Sequence, residues 1–172
     1  MDAVETKIRS GWAPGLVGWV VAEHGRYYAR EAGFGAYFEG KVAMGLGAFV
    51  GRLTPGIAEI FWVADADGFL AAVSVDGSEA ERDAAGRMHL RWFIAADRAR
   101  GRGLGGHLLK TAIAWVRDNA APGLYLDTFD ELGAARALYD KAGFRLAAEG
   151  DDTTWGVTVR EQRFVLDFLP AP

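Results

Sequence analysis

The 172-residue sequence predicts a mixed α/β (α+β) fold: one sheet covered by helices on both faces. Three observations predict it. Strand-like and helix-like patterns follow one another in the order β-α-α-β-β-β-α-β-α-β-β. Hydrophobic residues make up 51% of the chain, enough to fill a two- or three-layer core in one domain spanning residues 1–172. A glycine-rich turn, Arg100-Gly101-Arg102-Gly103-Leu104-Gly105, leads from an apolar strand-like stretch straight into a helix-like one.

A short strand is expected over residues 6–9. Pro14 suits the first turn of a helix running to Glu31, with Gly33 as its stop, and Val17, Val20, Val21, His24 and Tyr28 fall on one face. A second helix aligns Phe38, Val42, Leu46, Phe49 and Leu53. Its Gly40, Gly45 and Gly47 each cost up to about 1 kcal/mol relative to alanine, so the helix is either loose or closely approached by another backbone. Residues 59–64 and 69–76 form a hairpin around Asp65-Ala66-Asp67-Gly68. Residues 77–86 are polar and expected to be an exposed loop. In the next strand Met88, Leu90, Trp92 and Ile94 alternate with His89, Arg91 and Phe93. The following helix carries an apolar stripe of Leu104, Leu108, Ala112 and Trp115. A strand over residues 124–129 precedes a helix capped by Asp130 and ended by Gly143. Residues 144–148 and 157–168 complete the sheet as a strand pair.

A glycine turn opening a helix leaves backbone N–H groups unpaired, and the helix dipole adds roughly half a positive charge there. That arrangement favours a phosphate or pyrophosphate. No Lys-Ser/Thr pair follows the glycines, so a P-loop is a poor reading. Gly101, Gly103 and Gly106 meet a dinucleotide spacing, but they sit past the middle of the chain and without the expected acidic partner. The pattern Arg100-x-x-Gly103-x-Gly105 resembles the coenzyme A signature of the GNAT superfamily of N-acetyltransferases. About thirty residues on, Ala135-x-x-Leu138-Tyr139-Asp140-Lys141-Ala142-Gly143-Phe144 resembles its second signature. Together with residues 18–25, the C-terminal half is also similar to the acetyltransferase module found fused behind winged-helix regulators.

The resemblance implies the GNAT fold, a mostly antiparallel sheet whose central parallel strands splay apart. It implies acetyl-CoA as co-substrate, with its pyrophosphate on Arg100, Gly101, Arg102, Gly103, Leu104, Gly105 and Gly106. Its arm would run along the backbone of Phe93, Ile94 and Ala95, where one N–H could polarise the thioester carbonyl. Tyr139 would then be the general acid that assists the departing thiolate. The second signature often begins with an asparagine that contacts the coenzyme; Leu132 stands there, at a loss of about 1 kcal/mol. Glu59 and His89 are the candidate general bases. His24 shares an apolar helix face and reads as a core residue, while His107 merely borders the glycines.

Composition excludes some classes. No cysteine is present, so thiolate catalysis, disulfides and thiolate metal sites are out. Three scattered histidines lack ligand spacing, and no metal is expected. A net charge of −4 argues against general nucleic-acid binding, although Arg98, Arg100 and Arg102 cluster beside the turn and could offset a polyphosphate. No apolar run reaches membrane-spanning length and residues 1–5 are acidic, so no membrane or secretory role is expected and a cytoplasmic protein is. The expected partner is a small-molecule or peptide amine, accepted by direct attack in a ternary complex. The alternatives are a non-catalytic acyl-CoA sensor and an arginine-mediated nucleic-acid contact. Dimers are common in the family, which leaves a homodimer open.

Overall fold

The structure, a computed structural model, describes residues 7–130 and 132–168. Among them the elements come in the expected order: β1 (Arg9–Ser10), α1 (Leu16–Ala32), α2 (Ala36–Val50), β2 (Ala58–Asp65), β3 (Gly68–Asp76), β4 (Met88–Ala95), α3 (Leu104–Asp118), β5 (Gly123–Phe129), α4 (Gly133–Ala142), β6 (Arg145–Asp152) and β7 (Val159–Asp167). Of the first expected strand, Thr6 lies outside the described residues, as does the acidic stretch 1–5. The sheet runs β1-β2-β3-β4-β5-β7-β6. All neighbours are antiparallel except the central pair β4–β5. No helix among the described residues is long and apolar enough to cross a membrane.

Period-two alternation sends the two faces of the sheet to different cores. In β2, Phe61 and Val63 join the cluster under α3 and α4, while Ala58, Ile60 and Trp62 join Leu16, Val20, Leu46 and Phe49 beneath α1 and α2. Glycines stop the helices where expected. Gly33 and Gly143 adopt φ of 68° and 93°, a left-handed conformation that costs a residue bearing Cβ. The start of α4 differs: its N-cap is Leu132, with no side-chain cap. Asp130 instead gives its amide to the Arg160 carbonyl at 3.3 Å.

Three further expectations are corrected. The alternation in β4 is broken, because Ala72 pairs with Ile94 but Ser74 pairs with Arg91, so two residues oppose Val73. Trp92 takes φ 48° at this bulge. Met88 and Leu90 face the α3 side, whereas Trp92 and Ile94 turn to the α1–α2 side and Phe93 takes the α3 side. The loop after β3 is not simply exposed. It holds a 3₁₀ turn, Glu79–Glu81, and is tied internally by Arg82, which donates to the Gly77 and Gly86 carbonyls. Finally, β6 runs on to Asp152; its polar second half pairs with β7 as a charged edge strand.

Candidate active site

The parallel pairing of β4 with β5 covers only Met88↔Leu124 and His89↔Tyr125. Beyond them the bulge at Trp92 turns β4 away, and the facing edges carry main-chain groups outside any ladder. The gap is the neck of a cleft of about 410 Å³. His89, Arg91 and Trp92 line it on the α1–α2 side of the sheet, Leu90, Phe93 and Tyr139 on the other. The cleft therefore passes through the sheet. Of the three β4 residues expected along a coenzyme arm, Phe93 lines it. Ile94 is buried under α1 and α2, and Ala95 packs toward α3.

The glycine turn has the backbone geometry that suits an anion. Gly101 and Gly103 have φ of 73° and 74°, and Gly103 caps α3. The amides from Gly101 through Gly106 make no hydrogen bond among the described residues. A Cβ on Gly105 would lie 3.1 Å from Leu138 and 3.5 Å from Phe93. Glycine here lets the start of α3 press against α4 beside Tyr139. The arginines divide. Arg98 is held by Asp65 and the Gly68 and Phe69 carbonyls. Arg100 pairs with Asp97 and lies 4.5 Å over the Tyr27 ring. Of the three, only Arg102 is without an ion-pair partner among the described residues.

Tyr139 is 5% exposed, packed between Phe144 and Phe164, and its hydroxyl has no partner among the described residues. Burial pushes this phenol above its ordinary pKa, with Tyr27 adding to the effect. Across the cleft, His89 stacks on Tyr125 and its Nδ1 lies 2.9 Å from Glu81 Oε2. A carboxylate accepts only, so Nδ1 carries the proton and Nε2 is left as a base. Nε2 faces Asp127 at 3.9 Å. Burial lowers the His89 pKa against the opposing pull of Glu81, keeping the ring neutral at pH 7. Glu81 is in turn held well ionised by His89, then Arg91.

The other candidates lie elsewhere or do something different. Glu59 does not line the cleft; its Oε1 accepts the amides of Gly11 and Ile60 at 2.8 and 2.9 Å, pinning β1 to β2. His107 is exposed. Leu132 is buried among Phe34, Phe38 and Phe129. His24 lines the cleft, with Nδ1 tied to the Val20 carbonyl at 2.8 Å and burial lowering its pKa to about 4.

Sequence reasoning missed the far end of the cleft. There Tyr28, Phe38 and Phe129 meet Asp152, Trp155 and Glu161 from the β6–β7 hairpin. Lys41 clasps that hairpin, donating to the Thr154 carbonyl at 3.0 Å and lying 5.5 Å from the Trp155 ring. Asp127 is held by Arg163 through two bonds of 2.7 Å. No signature marks these residues, because their proximity depends on β7 inserting between β5 and β6. Among the described residues no group of three or more His, Asp or Glu is placed to hold a metal ion.

Solved structures share this fold. In fold the chain resembles an Escherichia coli ribosomal-protein-S18-alanine N-acetyltransferase, with TM-score 0.68, 17% identity, and 97% and 96% of the two chains covered. A Salmonella typhimurium protein regarded as an acetyltransferase, solved with acetyl-CoA, gives TM-score 0.71 at 13% identity, covering 98% of each chain. A Bacillus anthracis protein regarded as a streptothricin acetyltransferase, also in complex with acetyl-CoA, gives 0.58 at 16% identity, covering 70% of this chain and 68% of that one. No curated relative matches in sequence. The model of the acetyltransferase (GNAT) family matches residues 18–144, both signatures included. With most of its length matched in this way, the chain belongs to the acetyltransferase (GNAT) family.

Proposed function

We propose that the protein moves an acetyl group from acetyl-CoA to a primary amine by direct attack in a ternary complex. One observation carries this reading: a single gap through the sheet gathers a buried phenol, a neutral imidazole and, alongside, a run of unpaired amides at a helix start. The amides of Gly101 to Gly106 suit the coenzyme's pyrophosphate, and the β4–β5 gap has free main-chain groups for its amide-bearing arm. Bound there, acetyl-CoA supplies an activated acyl group. A free β4 amide polarises the carbonyl oxygen as charge develops on it.

An alkyl ammonium must first lose a proton to solvent water, at a cost of roughly 4.6 kcal/mol at neutral pH. As the amine nitrogen bonds to the carbonyl carbon its remaining N–H becomes strongly acidic. His89 Nε2 takes that proton and returns it to water, while Glu81 steadies the ring that becomes charged. As the C–S bond breaks, the Tyr139 hydroxyl donates to the sulfur. Its raised pKa makes it a hydrogen-bond donor to the leaving thiolate rather than a strong acid. Of the two candidate bases, the cleft position favours His89 over Glu59. The same reading takes the chain as one domain, similar to the module fused to winged-helix regulators and working in the cytoplasm, with no nucleic acid or membrane in the reaction.

The test is calorimetric titration with acetyl-CoA, followed by thiol release over a panel of amines. Binding followed by amine-dependent release is expected. Absence of a coenzyme complex would sink the proposal. Binding without release for any amine would leave the acyl-CoA sensor, the reading that the buried Leu132 favours.

A further inference from the structure

We infer that the acceptor is a diamine, whose second ammonium, carried on an arm, rests against Trp155, Glu161 and Asp152 at the far end of the cleft. The inference rests on the acetyl-transfer reading above.

An ammonium carries only donors, and this end of the cleft presents acceptors. Asp152 Oδ1 takes the Thr154 amide and hydroxyl at 3.0 and 2.7 Å, and Glu161 Oε2 takes the Trp155 indole N–H at 3.1 Å. Neither carboxylate makes an ion pair among the described residues. Burial raises the Glu161 pKa, with Asp127 and Asp152 adding to it against the pull of the indole N–H. A cation beside it would relieve that cost. An independent acceptor faces the same cleft: His24 is 5% exposed, and with Nδ1 committed to Val20, its Nε2 has no partner among the described residues.

Two cations lie in the lining. Lys41 is committed to the Thr154 carbonyl, and Arg91 pairs with Glu81 at 3.1 Å while lying 4.1 Å over the Trp92 ring. An amino-acid-like acceptor would bring a carboxylate to two carboxylates, with Lys41, tethered to the Thr154 carbonyl, as the one lining cation without an ion pair among the described residues. A second ammonium finds both carboxylates, beside a Trp155 ring that Lys41 already approaches at 5.5 Å.

Register sets the length of the arm. His89 lies opposite Tyr125 on β5, and Glu161 lies opposite Phe129 further along the same strand. Those stations are roughly 13 Å apart at ~3.3 Å per residue. The second charge therefore belongs on a chain of about eight carbons, not beside the reacting nitrogen.

Octylamine and 1,8-diaminooctane share that chain and differ by one charge. Thiol release with each, on protein shown to bind acetyl-CoA, is expected to give the diamine a kcat/KM at least about tenfold higher, the worth of a hydrogen bond to a charged group. Glu161→Gln and Asp152→Asn should each shrink that ratio. A wild-type ratio near one overturns the inference and leaves acetyl transfer standing, as does a ratio that neither substitution changes. If the variants do not fold, the wild-type ratio decides. No release with any amine overturns both.

Discussion

At the scale of single residues, the proposed chemistry rests on Tyr139 and His89, two groups whose charged forms burial disfavours. Tyr139 was legible from its signature, because Ala135-x-x-Leu138-Tyr139 and Gly143-Phe144 are contiguous in sequence. Glu81, which orients His89, was not: it lies in a polar loop whose folding is set by contacts with β4 and β5. Tyr139→Phe removes one oxygen from an aromatic site and should leave packing intact. It should lower kcat by roughly 10- to 100-fold, the upper value being the low end for general acid–base catalysis. Acetyl-CoA affinity by titration should move less than about threefold; unchanged kcat would remove the phenol from the reaction. For His89 the sign follows from the causes. Burial lowers its pKa from 6.5, so the acid limb of kcat/KM lies below that value, activity falling as the ring gains a proton. Glu81 opposes the lowering, so Glu81→Gln should drive the limb to still lower pH and reduce kcat as the ring loses its charged anchor. A limb that stays in place would point to another base.

At the scale of elements, the order of strands and helices was readable because alternation and helical spacing are local signals. The bulge in β4 was not, since nothing in Met88-His89-Leu90-Arg91-Trp92-Phe93 marks which residue will be looped out. Its positive φ at Trp92 costs on the order of 1–3 kcal/mol. What holds it is tertiary: the ring packs on Phe49 at 5.2 Å and lies under Arg91. Helix α2 makes room for that ring. A Cβ on Gly45 would come within 3.1 Å of Trp92, whereas Gly40 and Gly47 face open space. The glycines of α2 therefore do different jobs. Gly40→Ala and Gly47→Ala should each stabilise the protein by roughly 0.5–1 kcal/mol through helix propensity alone. That is a rise of about 1–4 °C in Tm for a chain of this size. Gly45→Ala should forfeit this gain and, by shifting the bulge, reduce turnover. Thermal melts of the three variants check the ranking; equal stabilisation by all three would mean that Trp92 yields freely.

At the scale of the molecule, a sheet with an apolar core on each face is interrupted at its centre. The two cores were foreseeable from composition and alternation, but the cleft joining them appears only when β4 and β5 part. It places hydrogen-bonding groups, His24 among them, at the depth of the core. His24 is stacked on Tyr28 at 5.8 Å and buried on α1. Its pKa falls from 6.5 to about 4 because burial disfavours the charged ring more than the Val20 carbonyl favours it. The unfolded chain therefore binds a proton near pH 6.5, which the folded chain refuses until about pH 4, and stability is lost as pH falls between those values. Between pH 7 and pH 5 the loss from this residue is about 2 kcal/mol. His89 loses stability in the same direction, so wild type alone does not isolate the effect. His24→Gln cannot titrate. Urea unfolding of wild type and variant at pH 7 and pH 5 should show the wild type losing about 2 kcal/mol more than the variant over that interval. Equal losses would mean that the ring is solvated through the cleft, and that the gap in the sheet is wetter than its apolar walls imply.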